Sequence, residues 1–155
     1  MNEQEKKAAV PVAKANQPKV SLEVAERDFD RFAMSMDLAF DGDLMDKESK
    51  RDYTTYKDTF VRSVQNGSLI VNQDGEPEYT CRKGDAGVIV FHEPIGAVLQ
   101  ASETKKTDAV VSQSYAMLGE ITKQNPIVFS NMYNRDLRVC QAIQILFTLG
   151  LPPRS

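Results

Sequence analysis

At 155 residues the chain has the length of one domain with tails, enough to bury a core without disulfide or metal staples. Hydrophobic residues at 41% and charged residues at 26% are ordinary for a soluble globular protein, and no run approaches the roughly 20 apolar residues that span a bilayer. A net charge of −3, with both signs mixed along the chain, argues against the clustered basic face that a nucleic-acid surface needs.

Residues 1–19 are rich in Lys, Ala, Gln, Glu and Pro and lack large apolar side chains, so they read as a flexible arm without the apolar centre of an export signal. From Ser21 the pattern changes. Leu22, Ala25, Phe29, Phe32 and Met36 recur at three- and four-residue spacing, which predicts an amphipathic helix capped by Ser21 and ending near Asp41-Gly42. A second helix is expected from Asp46, with Tyr53, Tyr56, Phe60, Val61 and Val64 on one face and a stop at Asn66-Gly67.

Period-two patterning follows. SLIVN and PEYTCR flank Gln73-Asp74-Gly75-Glu76, a hairpin signal, and after a turn at Lys83-Gly84-Asp85 the run Gly87–Phe91 reads as the most buried of three strands, covered on both faces. Pro94 suits the first turn of a short helix carrying Ile95, Ala97, Val98 and Leu99. A helix capped by Thr107 or Asp108 then places Val110, Val111, Ser114, Met117, Leu118 and Ile121 inward and breaks at Asn125-Pro126. IVFSNMY reads as a linker to the last helix, which Asn134 caps, Gly150 closes in a left-handed exit and Pro152-Pro153 stop. The expected fold is α+β and mostly α: a helical pair, a small three-stranded antiparallel sheet and a C-terminal helical bundle. Residues 20–150 form the single domain and 151–155 a tail.

Chemical signals are sparse. Asp37, Asp41, Asp43, Asp46 and Glu48 crowd together, but Met45 stands four residues after Asp41 and Asp52 stands at position twelve, where a calcium loop needs Glu. These residues fit a Gly turn between helices, with Asp46 as a cap. His92, the sole histidine, precedes Glu93-Pro94 without a nucleophile motif nearby and reads as a residue at a strand exit. Gly84-Asp85-Ala86-Gly87 precedes a strand, the reverse of a phosphate cradle. Cys81 and Cys140 fall where small apolar residues pack and read as buried free thiols. No catalytic residue, cofactor or metal is expected.

Two apolar stripes are candidate partner surfaces: Phe29, Phe32 and Met36 on the first helix, and Val139, Ile143 and Phe147 on the last. The segment VIVFHEPIGAVLQ, a following helix with an Ala-Met-Leu-Gly centre, and the terminal NRDLRVCQAIQILF together resemble phage tail assembly chaperones over about residues 68–150. The resemblance implies a non-enzymatic, self-associating protein of the host cytoplasm that binds and solubilises a tape-measure-type helical partner and recruits tail tube subunits. The alternative reading is a structural accessory protein of a phage head or tail, retained in the virion. Neither reading involves nucleic acid or membrane.

Overall fold

A computed structural model of the chain describes residues 19–82, 87–95 and 110–150. Its elements run α1 (Leu22–Ser35), α2 (Lys47–Gln65), β1 (Leu69–Val71), β2 (Pro77–Thr80), β3 (Val88–Val90), α3 (Val110–Thr122), α4 (Ile127–Ser130) and α5 (Asn134–Gly150). This is the expected α+β architecture, mostly helical, with one small antiparallel sheet. Most of the arm, the turn at Lys83-Gly84-Asp85, the cap at Thr107 or Asp108, the 151–155 tail and the expected helix beyond Ile95 lie outside the described residues.

Local chemistry sets the helix entries. The Ser21 hydroxyl accepts the Val24 N–H at 3.2 Å, and an Asp46 carboxylate oxygen accepts the Ser49 N–H at 2.7 Å, each relieving a donor that the first turn leaves without a partner. α1 stops at Ser35, short of Asp41-Gly42, because Asp37 takes a left-handed conformation (φ 54°) and the chain folds back, burying Leu38. Asn134 is the first residue of α5 and not a cap outside it. Gly150 is its last residue, and a Cβ there would lie 2.8 Å from Leu38 Cβ and 3.0 Å from the Phe40 ring. That glycine serves close approach instead of a left-handed exit. The expected linker contains α4, whose start is tied by the Asn125 side chain accepting the Ile127 N–H at 3.0 Å.

The sheet order is β1-β2-β3, with Leu69 opposite Tyr79 and Tyr79 opposite Ile89. Leu69, Val71, Tyr79 and Ile89 face the core, whereas Ile70 and Val88 are exposed. β3 therefore has one solvent face and is not the doubly covered strand its apolar run suggests. The core packs on the Leu69, Tyr79 and Ile89 face of the sheet, so the other face of this edge strand stays open to water. Arg31 ties α1 to β1 by donating to the carbonyls of Val71 (2.9 Å) and Asn72 (3.2 Å).

The core is aromatic. Phe32 stacks on Phe60 with centroids 5.0 Å apart and meets Phe147 edge-on at 5.3 Å, while Phe29 meets Phe60 edge-on at 5.2 Å. α2 and α5 make the most extensive helix pairing, and α1 packs on α2. The pair runs antiparallel. The C-terminus of α5 lies by the loop that leads into α2, where Ala39 N–H donates to the Gly150 carbonyl at 2.9 Å. Its N-terminus shares a hollow with the last turns of α2.

Candidate functional site

The stripes expected to meet partners are inside the domain. Phe29, Phe32, Met36, Ile143 and Phe147 are 5% exposed or less, and Val139 is half-buried. This corrects the expectation: α1 folds back onto α2, so the apolar face that would otherwise need a second chain is covered by Phe60 and Phe147. The lower edge of the α1 stripe differs, since Leu22 is 56% exposed and lies beside α2 residues Tyr53, Thr54 and Val61.

Turning α5 away from that core exposes a second stripe, Arg138, Gln141, Ile145, Thr148 and Leu149. It forms the floor of a groove of about 610 Å³, with Tyr56 of α2 on one wall and Gln113, Ser114 and Met117 of α3 on the other. Leu149 lies eleven positions after Arg138, so the floor is about 16 Å long, three helical turns. Tyr56, Met117, Ile145 and Leu149 make it mostly apolar, and Gln113, Gln141 and Gln144 also line it. Gln144 is fixed in place: its side-chain oxygen accepts from Ser114 at 2.9 Å and its amide reaches Met117 Sδ at 3.5 Å. Sequence periodicity finds the buried stripe of α5 and passes over this one, because alternating Gln, Ile, Thr and Leu carry no strong pattern of their own.

Below the groove, the N-terminal turns of α5 anchor the sheet. Asp136 is fully buried; it accepts the Tyr79 hydroxyl at 2.7 Å and the Arg82 backbone N–H at 3.0 Å. Burial, and then the hydrogen bond to Asp136, push the Tyr79 hydroxyl well above its ordinary pKa. Cys140 is buried and Cys81 half-buried, and both are free thiols. Burial and the nearby Asp136 carboxylate push Cys81 up to about 11, and burial drives Cys140 higher, which disfavours the nucleophilic thiolate.

His92 lies just beyond β3, as its position at a strand exit requires, and pairs with Glu76 across the hairpin at 2.6 Å. Asn72 also donates to Glu76 (3.3 Å) and to Glu78 (2.8 Å), so this polar cluster is internally paired. The 41–46 loop is likewise self-bonded, with an Asp41 carboxylate oxygen accepting the Asp43 N–H at 2.9 Å and Asp46 capping α2. Among the described residues no group of three His, Cys, Asp or Glu side chains is placed to hold a metal ion, and no helix is long and apolar enough to cross a membrane. Comparisons with protein-family models, curated proteins and solved structures return no match.

Proposed function

We propose that this chain is a non-enzymatic, phage tail assembly chaperone-like protein that receives an apolar helix of a tape-measure-type partner in the α2–α3–α5 groove. The observation that carries the reading is the groove itself. It is three turns long and walled by two helices, and Tyr56, Met117, Ile145 and Leu149 give it an apolar lining, the shape and chemistry that accept an amphipathic helix. The sequence resemblance over residues 68–150 spans α3 and α5, two of its three sides. Such a contact is made by packing alone, so it is reversible and can be displaced when tail tube subunits assemble on the partner. On this reading the protein works in the host cytoplasm and leaves no stoichiometric copy in the finished particle.

Co-expression with the tape-measure protein of the same phage tests this. The wild-type chain is expected to raise that protein's soluble fraction, and Ile145→Glu with Leu149→Glu is expected to abolish the effect while the far-UV circular dichroism stays unchanged. Absence of rescue at any ratio, or equal rescue by the variant, overturns the groove assignment. Mass spectrometry of purified particles separates the alternative, because a structural accessory protein stays at a fixed copy number.

A further inference from the structure

A helix laid along the floor of the groove meets α5 at Arg138, Gln141, Ile145 and Thr148, positions three, four and three residues apart, with Leu149 beside the last. That is the a–d seam of two helices packed side by side, and the helix that fits it repeats its inward side chains every seven residues. The two halves of the seam differ in chemistry. The half-buried Ile145 and Leu149, with Tyr56 and Met117 on the walls, form an apolar half. Arg138 and Gln141 form a polar one. The α3 wall is held against α5 before any partner arrives, because Gln144 accepts from Ser114 at 2.9 Å and reaches Met117 Sδ at 3.5 Å.

Arg138 is the only charged side chain among the described residues that line the groove, so no carboxylate of the lining faces it. It is exposed, and the ion pairs of the described residues use Arg31, Arg62 and His92 instead. An apolar half-seam on its own holds a heptad-repeat helix equally well in every register, because one apolar heptad resembles the next. A single charged side chain in the seam removes that degeneracy. A bound helix with Lys or Arg over Arg138 brings like charges together as water leaves, and one with Leu there strips water from an unpaired guanidinium. A carboxylate at that point accepts the guanidinium's forked donors.

We infer that Arg138 fixes the register of the bound helix by pairing with an Asp or Glu one heptad, about 10 Å along the helix, from the apolar residue seated over Ile145. Resting on the helix-binding role proposed above, this narrows the occupant from any apolar helix to one with a carboxylate in its seam next to an apolar heptad. Ile145 and Leu149 supply the attraction, and Arg138 selects which heptad is held.

Fluorescence anisotropy of labelled three-heptad helical peptides, titrated with the full chain, tests this. The three peptides share a leucine seam and differ at the two seam positions one heptad either side of the central leucine, where they carry Glu, Gln or Lys. Placing the residue on both sides presents one copy to Arg138 whichever way the helix runs. Wild type is expected to bind the Glu peptide about tenfold or more tighter than the Lys peptide, with the Gln peptide between them. Arg138→Ala is expected to remove most of that preference, and Arg138→Glu to reverse it. Equal binding of the Glu and Lys peptides by wild type, or a preference that survives Arg138→Glu, overturns the register assignment and leaves the groove standing. Ile145→Glu with Leu149→Glu is expected to abolish binding of all three peptides. Undiminished binding by that variant, or no binding of any peptide to wild type, overturns the groove itself and the register with it.

Discussion

A buried carboxylate is costly unless its oxygens are bonded, and Asp136 shows how this chain meets that requirement. Its acceptors hold the Tyr79 hydroxyl and the Arg82 N–H, joining the start of α5 to β2 across 57 residues of sequence. Asp136→Ala leaves both donors without that acceptor in the interior, and a loss of about 3–5 kcal/mol is expected in urea denaturation. Tyr79→Phe should cost less in that background than in wild type, because the pair is already broken. Glu76 contributes to the pH dependence of stability on the acid side. Burial works to raise its pKa, but the hydrogen bonds from His92 and Asn72 and the positive charges of His92 and Lys123 outweigh it and hold the carboxyl below its ordinary 4.5. A lowered folded value means the stabilisation is present above 4.5 and disappears as pH falls through the lowered value. Glu76→Gln should therefore reduce the urea midpoint at neutral pH, with the gap to wild type closing as pH drops below the carboxylate range. Neither pairing is legible in the sequence. Asp136 reads as an ordinary acid in a helix's first turn, and the Glu76–His92 contact exists only once the hairpin closes.

At the level of elements, signals written in neighbouring residues were readable and those set by distant packing were not. Ser21 and Asp46 announce their helices because a cap needs only a side chain and the next turn. Asp74-Gly75 announces the hairpin for a similar reason. The end of α1 was misplaced by six residues, since Asp37 reverses the chain without a glycine or proline to mark it. The apolar run of β3 misleads because it does not say whether a second layer will cover the outer face of the sheet. Gly75 couples the two kinds of information. Its φ is +79°, and an added Cβ would fall 2.2 Å from Ser35 Cβ and Oγ at the end of α1. Gly75→Ala should destabilise by about 2–5 kcal/mol through backbone and steric strain together. Gly87→Ala, at φ +67° with open space around it, should cost only about 1–2 kcal/mol. Thermal or urea unfolding of the two variants side by side measures the difference.

For the molecule as a whole, the fold class was legible and the groove proposed to bind a partner was not. Periodicity reports which stripe of a helix turns inward, so it found Phe29, Phe32, Ile143 and Phe147 and offered as a docking face what the domain uses as its core. The outward residues of α5, from Arg138 to Leu149, carry little pattern and gain meaning only beside Tyr56 and Met117. One feature of the sheet bears on how such a protein survives crowding with copies of itself. Arg31 occupies the carbonyl of Val71 on the side of β1 away from β2. A guanidinium there blocks the template on which a foreign strand would add, so fibrous growth from that edge has to wait until α1 has peeled away. The first helix thus guards the sheet against the wrong polymer.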